Sequence, residues 1–485
     1  MKLKELLHAI PVQQLEGSLE LDVQSICFDS RKVVASSMFV AVRGVHTDGH
    51  LYIDTALDLG ASVLVLEKLP NVLQEEVTYV LVDDTSYVLG LLATNFYGDP
   101  SKELKLVGVT GTNGKTTVAT LLFNLFVNLG YHVGLISTVQ NKIGERIIPA
   151  THTTPDPLAL NAFLRDMVDD GCDYCFMEVS SHAVVQQRIA GLRFAGGIFT
   201  NITHDHLDFH GTFDHYIKAK KKFFDDLDRY AFALTNIDDK NGSVMLQNTF
   251  AHKKSYGLKN MTDFKARIVE SHFDGMLMNI DGHELWVKLV GGFNAYNLLA
   301  VYGAAILLEQ ETMKVLTAMS EISGADGRFE IVHSANGIAG IVDYAHTPDA
   351  VENVLSTIRD LRAGNQQIIT VLGCGGDRDK TKRPEMAAVA VRLSDRVILT
   401  SDNPRTEDPA SIIRDMEAGI AVKDRKNVFT ITERQEAIRA ACHLAQPGDI
   451  ILVAGKGHEK YQEVNGQRHH FDDREILEQT FNEQQ

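Results

Sequence analysis

The residues best suited to chemistry form the run 110–117, which reads TGTNGKTT and stands between an apolar segment and a helical pattern. Glycines in such a run let backbone amides turn toward a phosphate, and the following helix N-terminus adds partial positive charge. Lys115 would reach the outer phosphates and Thr116 would ligate magnesium. Val109 occupies the first glycine position of the full G-x-x-x-x-G-K-[ST] pattern. The remaining G-x-x-G-K-T core predicts nucleotide binding; the alternative is a glycine-rich turn with an exposed lysine.

Acidic and histidine residues follow on neighbouring segments. Glu178 ends the apolar run YCFM, where an acid can meet a magnesium ion held by the phosphate loop. Residues 204–210 read HDHLDFH, and imidazoles with carboxylates suit divalent metal ions. We interpret this segment as part of a nucleotide–metal centre. The alternatives are a metal hydrolase site and an ordinary polar loop at the ligand-binding edge of a sheet.

Four short polar loops follow apolar runs in the last third of the chain. Open α/β sheets bind ligands at the carboxyl ends of their strands, so four such loops at one edge favour a second ligand site. Each loop by itself could be a simple turn. The loops are DYAH at 343–346, GCGGDR at 373–378, DNPR at 402–405 and GKGHE at 455–459.

The elements that must position these motifs follow from the hydrophobic pattern, which is typical of a parallel α/β sheet from about residue 104. A helix is predicted over 116–129, ended by Gly130, with strands at HVGLIST, YCFMEVS, GGIFTNI and FALTN. Residues 262–290 predict β-hairpins around Asp-Gly turns. A second alternating series starts near Gly340, with helices after Pro348, Pro384 and Pro409.

The pattern changes near residues 103 and 330, and 485 residues correspond to three domains at about 150 residues each. We expect a smaller mixed N-terminal domain over 1–103, a central domain over 104–329 and a C-terminal domain over 330–485. The fold class is α/β throughout.

Charge and composition limit the partners. The chain has 47 Lys plus Arg against 64 Asp plus Glu, a formal net charge of −17, which disfavours broad binding to nucleic acid. No apolar run approaches the ~20 residues that span a bilayer, and no signal peptide begins the chain, so we expect a cytoplasmic protein without a membrane partner. The five cysteines are expected to be reduced, with Cys172 and Cys175 as buried thiols on one strand.

In order, the motifs resemble those of the Mur ligases, ATP-dependent enzymes that add amino acids in peptidoglycan synthesis. The resemblance covers residues 110 to about 460 and rests on TGTNGKTT, MEVSSH, NITHDHLDFHGT, HYIKAK, FNAYN, GRFE, DYAHTP, GCGGDRDKTKRP, SDNPRTEDP and GKGHE. It implies an N-terminal domain that holds a uridine nucleotide, a central P-loop ATPase and a C-terminal Rossmann-like domain. It also implies transfer of the γ-phosphoryl group of ATP to a carboxylate, then attack of an amine on the acyl phosphate.

The branch of the family that the chain resembles most adds meso-2,6-diaminopimelate to UDP-N-acetylmuramoyl-L-alanyl-D-glutamate, a step in cell-wall biogenesis that serves cell shape and division. The resemblance therefore implies three small-molecule substrates, which are ATP, the UDP-muramoyl dipeptide and diaminopimelate. It implies Mg²⁺ as the cofactor and a monomeric enzyme.

The resemblance also assigns roles residue by residue. Lys115, Glu178, His206 and Lys220 would form the catalytic centre, with Thr116, Glu178 and His206 as metal ligands. Lys220 would carry a carbamate derived from CO2 (N6-carboxylysine), whereas the residues alone favour an unmodified helix-surface lysine. ATP would be bound by Gly111, Thr112, Asn113, Gly114, Lys115, Thr116, Thr117, Asn294, Asn297, Arg328 and Asp343. The UDP-linked substrate would contact Ser30, Thr153, Thr154, Ser180, Gln186 and Arg188, and diaminopimelate Arg378, Asp402, Asn403, Pro404, Arg405, Gly455 and Glu459.

The DNPR loop bears on the choice of amino acid. Diaminopimelate has a distal carboxylate that lysine lacks, and Arg405 is suited to bind it with a charge-assisted hydrogen bond of about 1.5–3 kcal/mol. Glu459 and the Asp402 loop are available for the ammonium group. The pattern favours diaminopimelate; the alternative is the same reaction with L-lysine.

Three other classes of protein remain as alternatives. A GTP-dependent switch would need N-K-x-D, and the run 235–239, TNIDD, lacks the lysine. A metal phosphohydrolase built on HDHLDFH would leave the phosphate loop unused. A folylpolyglutamate-synthetase-like ligase has a related architecture, but DNPR and HDHLDFHGTFDHY argue against it.

Overall fold

The computed structural model describes residues 1–44, 47–150 and 152–484. Its strands form three larger sheets in succession along the chain and one two-stranded hairpin. The α/β architecture predicted from the sequence is confirmed.

The first sheet has five strands in the order β1-β5-β4-β3-β2, with only β1 antiparallel to its neighbour. Its helices pack Leu3, Leu6, Val88 and Leu92 against the apolar strand residues. The elements are α1 (Leu3–Leu6), β1 (Gln14–Glu16), β2 (Ser25–Cys27), β3 (Ser37–Val40), α2 (Ile53–Asp58), β4 (Ala61–Leu66), β5 (Thr78–Leu81) and α3 (Thr85–Phe96).

The central sheet has eleven strands in the order β16-β15-β14-β13-β12-β11-β6-β10-β7-β8-β9. Its middle is parallel, and antiparallel hairpins extend both edges. The elements are β6 (Lys105–Thr110), α4 (Lys115–Asn128), β7 (Val133–Ile136), β8 (Gln140–Ile143), β9 (Arg146–Pro149), α5 (Pro157–Asp169), β10 (Tyr174–Glu178), α6 (Ser181–Val185), β11 (Gly196–Phe199), α7 (Leu207–His210), α8 (Phe213–Asp225), β12 (Phe232–Asn236), α9 (Gly242–Met245), β13 (His252–Gly257), β14 (Phe264–His272), β15 (Gly275–Ile280), β16 (His283–Val287), α10 (Gly292–Leu307) and α11 (Thr312–Glu321).

The third sheet has six strands in the order β17-β18-β22-β19-β20-β21, and the β23–β24 hairpin follows it. Only β17 is antiparallel to its neighbour. The elements are β17 (Glu330–His333), β18 (Ala339–Asp343), α12 (Pro348–Leu361), β19 (Ile368–Cys374), α13 (Lys382–Leu393), β20 (Arg396–Ser401), α14 (Pro409–Glu417), β21 (Val428–Thr430), α15 (Arg434–Leu444), β22 (Ile450–Ala454), β23 (Tyr461–Val464), β24 (Gln467–His470) and α16 (Asp473–Glu483).

Strand register places the polar motifs side by side. In the central sheet Val109 on β6 lies opposite Glu178 on β10, and Thr110 lies opposite Phe199 on β11. In the third sheet Asp343 lies opposite Ala454, which directly precedes the GKGHE loop. The motifs that follow these strands therefore share the carboxyl edges of their sheets, the edge at which such sheets bind ligands.

Most predicted elements are present with small shifts at their ends. Helix α4 begins at Lys115, one residue before the predicted start, and Gly130 follows its last turn with φ 92°. Helix α13 begins at Lys382, so Pro384 lies in its first turn rather than before it. Proline is tolerated there because the first turn has no intrahelical acceptor for its missing N–H. The predicted hairpins over 262–290 are confirmed as β14, β15 and β16.

All five cysteines are unpaired and buried. Strand β10 begins at Tyr174, so the expectation that Cys172 and Cys175 share a strand is wrong: Cys172 precedes it. Cys172 instead belongs to a group with His132 and Asp170 whose possible ligand atoms lie within 4.8 Å of one another. This group precedes β7 and β10, at the amino edge of the sheet and away from the phosphate loop. Burial raises the pKa of the Cys172 thiol to about 11.

Within the described residues, no helix is both long enough and apolar enough to cross a membrane.

Candidate active site

The phosphate loop joins β6 to α4 in a conformation that requires glycine. Gly114 has φ 87°, and a Cβ atom there would lie 2.6 Å from Oδ1 of Asn297. At Gly111 a Cβ atom would collide with the Thr200 hydroxyl. The loop is fixed from below because Asn201 accepts hydrogen bonds from the backbone N–H groups of Thr112 and Asn113. The loop leads into the N-terminus of α4, whose first backbone N–H groups have no intrahelical acceptors. Free N–H groups at a helix N-terminus are an arrangement that binds phosphate.

Lys115 folds back over this loop and makes no ion pair with any carboxylate among the described residues. Its Nζ donates to the carbonyl oxygens of Gly111 and Thr112 at 3.0 and 2.8 Å. Burial lowers the pKa of its ammonium group, an effect that Glu178 opposes. An anionic ligand would supply the countercharge that the site lacks.

Thr116 and Glu178 lie next to each other below the loop. The Thr116 hydroxyl donates to the Glu178 carboxylate at 2.9 Å, and Glu178 also accepts from the Thr138 backbone N–H at 2.7 Å. Glu178 is completely buried. A buried carboxylate beside a hydroxyl provides the hard oxygen ligands that Mg²⁺ prefers.

Lys220 is buried although it stands in a lysine-rich stretch of α8. Only 1% of the residue is exposed, whereas Lys218 and Lys222 are exposed, so a position on the helix surface is excluded. Its Nζ donates to the Gly111 carbonyl oxygen at 2.7 Å and lies 4.6 Å from the centroid of the Tyr216 ring. Burial lowers the pKa of Lys220 well below its ordinary value, and Lys115 adds to that effect.

The histidine-rich segment contributes one imidazole toward the loop and others to packing. His206 lies 3.4 Å from the Asp205 carboxylate, with its ring 4.9 Å from that of His182. Burial lowers the pKa of His206 and lowers that of His210 to about 4. Both rings are therefore neutral at pH 7, as a metal ligand must be. His210 is committed to the Ser181 hydroxyl at 2.9 Å, and His204 is exposed.

Two asparagines of α10 close the other side of the loop. Asn297 donates to the Asn294 side-chain oxygen at 3.1 Å, and Asn294 donates to the Val290 carbonyl oxygen at 2.9 Å. Both are buried. Thr117, on the first turn of α4, is buried as well.

A chain of contacts runs from the phosphate loop into the third sheet. Arg328 donates to the Thr116 hydroxyl at 3.3 Å, and its guanidinium carbon lies 4.5 Å from the Tyr344 ring centroid. The Tyr344 ring in turn lies 4.9 Å from that of His458 in the GKGHE loop. Nearby, Asp343 accepts from the Phe329 backbone N–H at 2.7 Å, and burial raises its pKa to about 6.

Two further contacts join the same parts of the chain. Asn113 of the phosphate loop donates to the Asp349 carboxylate on α12 at 2.7 Å. Lys382 on α13 lies 3.9 Å from the Asp205 carboxylate. The phosphate loop and the C-terminal loops therefore border one cleft.

The residues predicted for the UDP-linked substrate form a group beside Glu178, with one exception. Thr154 donates to the Glu178 carbonyl oxygen at 2.8 Å and accepts from the Ser180 backbone N–H. Arg188 donates to the Thr154 carbonyl oxygen at 2.7 Å and to the Gln186 side-chain oxygen. Thr153 accepts from the Thr138 hydroxyl at 3.0 Å. Ser30 begins a 3-10 turn in the first sheet's part of the chain, and no described hydrogen bond links it to this group.

The residues predicted for diaminopimelate come together at the carboxyl edge of the third sheet. Asn403 donates to the Glu459 carboxylate at 2.6 Å. Arg405 has φ 52° and donates to the Gly376 carbonyl oxygen at 2.6 Å. Gly455 is required because a Cβ there would lie 2.8 Å from the Asp402 carboxylate. Pro404 is buried, its carbonyl packs against Gly376, and Arg378 is exposed on the neighbouring loop.

Residue-by-residue reasoning missed three residues that the structure brings to the site. Lys456 is completely buried and lies among Asp402, Asn403 and Glu459. Asn201 holds the phosphate loop, and Asp349 binds it from α12. The motifs GKGHE and NITHDH contained two of them, but a motif does not reveal which of its side chains face inward.

Comparison with known families supports a relationship over nearly the whole chain. Residues 22–97 match the Mur ligase family catalytic domain, 109–305 the Mur ligase middle domain, and 327–457 the Mur ligase glutamate ligase domain.

Individual relatives are similar from end to end. The UDP-N-acetylmuramoyl-L-alanyl-D-glutamate–2,6-diaminopimelate ligases of Bacteroides fragilis and Cytophaga hutchinsonii are each 55% identical, over 99% of this chain and 99% of theirs. The enzyme of that name from Clostridium tetani is 41% identical over the full length of both. A solved structure of such a ligase superposes with TM-score 0.71 at 32% identity, covering 100% of this chain and 99% of that one. The MurF ligase of Thermotoga maritima in complex with ADP shares the fold, with TM-score 0.63 at 20% identity over 96% of this chain and 99% of its own.

Proposed function

The chain belongs to the Mur ligase family, and from that premise we propose that it joins meso-2,6-diaminopimelate to UDP-N-acetylmuramoyl-L-alanyl-D-glutamate at the expense of ATP. The γ-phosphoryl group passes to the terminal carboxylate of the dipeptide. The amine of diaminopimelate attacks the resulting acyl phosphate, and phosphate leaves through a tetrahedral intermediate. The product is the tripeptide precursor of peptidoglycan.

The phosphate loop carries the first step. Lys115 turns from the carbonyl oxygens of Gly111 and Thr112 toward the β- and γ-phosphates, where its charge balances the charge of the transferring group. The α4 N-terminus and the residues from Thr112 to Thr117 surround the phosphates. Asn294 and Asn297 face the adenine, while Arg328 and Asp343 contact the phosphates and ribose from the other side of the cleft.

The residues present fit a magnesium ion. The buried Glu178 carboxylate has no ion-pair partner among the described residues and is bonded to the Thr116 hydroxyl, and His206 carries a neutral imidazole. Thr116 and Glu178 would hold one Mg²⁺ ion, and His206 would be a ligand of a second. When bound, the metal neutralises charge on the phosphoryl group.

The surroundings of Lys220 also fit a carbamate. Its amine is buried beside Gly111 and pairs with no carboxylate in the described ranges of the chain, and a neutral buried amine is the form that reacts with CO2. As a carbamate, the side chain would be an anion directed at the phosphate loop. Lys220 would then help to orient magnesium beside the γ-phosphate rather than repel Lys115.

Two groups of residues place the other substrates. Thr153, Thr154, Ser180, Gln186 and Arg188 lie beside Glu178 and would hold the muramoyl dipeptide so that its carboxylate meets the γ-phosphate, while Ser30 would contact the uridine nucleotide.

Across the cleft, Arg405 would bind the distal carboxylate of diaminopimelate, and Glu459 with Asp402 the distal ammonium. Arg378, Asn403, Pro404 and Gly455 would line the same pocket. A carboxylate is present in diaminopimelate and missing in L-lysine, so Arg405 accounts for the choice between them.

The proposed function also has consequences for the domain boundaries, the cellular location and the oligomeric state of the enzyme. We assign 1–103 to the UDP-substrate domain, 104–329 to the ATP-binding domain and 330–485 to the amino-acid-binding domain. The enzyme would be a cytoplasmic monomer that contributes to cell shape and division through cell-wall synthesis.

The observation that carries the proposal is the chain of contacts from Thr116 through Arg328 and Tyr344 to His458, because it joins a phosphate site to an amino-acid site in one cleft. The test is ligation with purified UDP-muramoyl dipeptide, ATP and a panel of amino acids, with the product identified by mass. We expect phosphate release and tripeptide only with diaminopimelate. Equal turnover with L-lysine would overturn the assigned specificity, and phosphate release without any amino acid would favour a hydrolase.

A further inference from the structure

Lys456 is the one lysine of the third sheet's carboxyl edge, among the described residues, that is completely buried. Its Nζ donates to the Asn403 side-chain oxygen at 3.0 Å and lies 3.5 Å from both the Asp402 and Glu459 carboxylates. The rings of Tyr461 and Phe471 cover it, with centroids 5.6 and 5.9 Å from Nζ. Because the Lys456 side chain does not reach solvent, its positive charge acts only on the side chains of this network.

The charges of this network sum to one negative unit, from two carboxylates and one ammonium. Two buried carboxylates on one loop edge repel each other, and removal of the partner of a buried charge is strongly destabilising. Lys456 offsets one of the two charges and leaves the other for a ligand. Arg405, on the same DNPR loop, has no ion-pair partner among the described residues and is free for an anion.

The β23–β24 hairpin fixes the same loop. The Arg405 backbone N–H donates to the Glu463 carbonyl oxygen at 3.0 Å, and the Glu463 backbone N–H donates to the Asn403 side chain at 2.9 Å. Asn403 thus accepts from both Lys456 and the hairpin while it donates to Glu459. Lys456 therefore adds a second link between the DNPR and GKGHE loops, beside the direct hydrogen bond from Asn403 to Glu459.

We propose that Lys456 is a positioning residue for amino-acid binding. It orients Asn403 and Glu459, and its positive charge leaves the Asp402–Glu459 pair with one net negative charge, which matches the charge of one ammonium group. The proposal rests on the proposed function and deepens it. Lys456 does not touch the substrate and acts through Glu459.

The acidity of Glu459 supports this role. Burial raises its pKa and Asp402 raises it further, whereas Lys456 lowers it. Without Lys456 the carboxyl would stay protonated to higher pH and accept the ammonium group less well. The charged and titratable groups that face Glu459 are Asp402, Lys456, Arg405, Arg434, Tyr344 and Tyr461.

The test compares Lys456→Met with Lys456→Arg and with Lys460→Met, an exposed lysine four positions later in the same loop region. In Lys456→Met we expect the KM for diaminopimelate to rise about tenfold or more, because the variant loses a hydrogen bond that involves a charged group. The KM for ATP should not change. The acidic limb of the kcat/KM profile for diaminopimelate should move to higher pH. Lys456→Arg should restore part of the affinity, and Lys460→Met should resemble the parent.

A double variant separates positioning from general damage and covers the case in which Lys456→Met does not fold. Lys456→Met/Glu459→Gln keeps the network at one negative charge, so it should fold. If Lys456 acts through Glu459, the double variant binds diaminopimelate no worse than Glu459→Gln alone. An unchanged KM in Lys456→Met, or losses that add in the double variant, would overturn the proposal. Failure of the parent enzyme to ligate diaminopimelate would instead refute the proposed function.

Discussion

The phosphate loop and the proposed diaminopimelate pocket differ in how their charged side chains are paired. Around the loop, Lys115 and Lys220 donate to backbone carbonyl oxygens, and no ion pair within the described residues involves them. In the pocket, Lys456 is already paired with Asp402 and Glu459, whereas Arg405 and Arg378 have no carboxylate partner in the part of the chain that the structure describes. In the first region ATP and a carbamate would supply the ionic partners that these two lysines do not have within the described residues. The second region already contains both positive and negative side chains, which suit a ligand with both ammonium and carboxylate groups.

The difference also explains how a chain with net charge −17 could bind two anionic substrates, ATP and the UDP-linked dipeptide, and the carboxylates of diaminopimelate. Net charge describes the whole surface, whereas binding in a cleft depends on the few charges that face it. Among the cations that make no ion pair within the described residues, Lys115 lies at the phosphate loop, and Arg405 and Arg378 lie on the DNPR and GCGGDR loops, where phosphates and carboxylates would bind.

The largest effect should follow from removing the cation at the phosphate loop. Lys115→Met should lower kcat by about 10²–10³-fold, because the transferring phosphoryl group loses its nearest fixed charge. Phosphate release measures the effect. Lys222→Met, an exposed lysine paired with Asp226, is the matched control and should keep the parent rate. An active Lys115→Met enzyme would mean that the loop does not bind the reacting phosphate.

The next effect concerns the buried lysine of α8. Lys220→Ala should lower kcat by about 10²-fold, and a short carboxylate such as propionate should restore part of the rate by replacing the carbamate. Lys218→Ala, exposed on the same helix, should be neutral. In the parent enzyme, labelling with ¹³C-bicarbonate should give a carbamate resonance that the Lys220→Ala variant lacks; its absence from both would refute the modification.

A smaller and more selective effect is expected in the pocket. Arg405→Met should reduce kcat/KM for diaminopimelate by about 10–100-fold, which corresponds to the loss of one charge-assisted hydrogen bond. The low rate with L-lysine should stay unchanged. Arg414→Met, an exposed arginine on α14, is the control. Competition between the two amino acids, read by product mass, measures the ratio. Equal losses with both amino acids would show that Arg405 supports the loop rather than selecting the substrate.

The smallest effect belongs to Asp343, at the junction of the two regions. Burial raises its pKa from 3.8 to about 6 in the folded protein. Its contribution to stability is therefore fully present below its ordinary pKa and is lost as the pH rises through about 6. Asp343→Asn should flatten the pH dependence of the unfolding temperature between about pH 4 and pH 7. Parallel melting curves for variant and parent would contradict this.

Much of the fold could be predicted because pattern and chemistry agree along the strands. Helix α4 was predicted to within one residue, and the strands that precede the motifs were identified from their apolar runs. The first residues of β10, which begins after Cys172, and of α13 are not predicted correctly, because a periodic pattern does not define where backbone hydrogen bonding begins.

The site was predictable in its motifs and less so in its side chains. Family resemblance, not the residues alone, favoured a role for Lys220, since a run of lysines on a helix is normally exposed; its burial depends on packing against Tyr216 and Gly111. Lys456 was missed for the opposite reason. A lysine between two glycines is typical of an exposed turn, and only the meeting of two loops from distant strands encloses it.

The measurement that tests the account most directly is the trapping of the acyl phosphate with hydroxylamine in the absence of any amino acid. Phosphoryl transfer is proposed to depend on the phosphate loop, and amine recognition on the pocket. Lys115→Met should therefore form almost no hydroxamate from ATP and the muramoyl dipeptide, while Arg405→Met should form it at the parent rate. Equal loss of hydroxamate in both variants, or equal retention, would contradict the division of labour between the two regions.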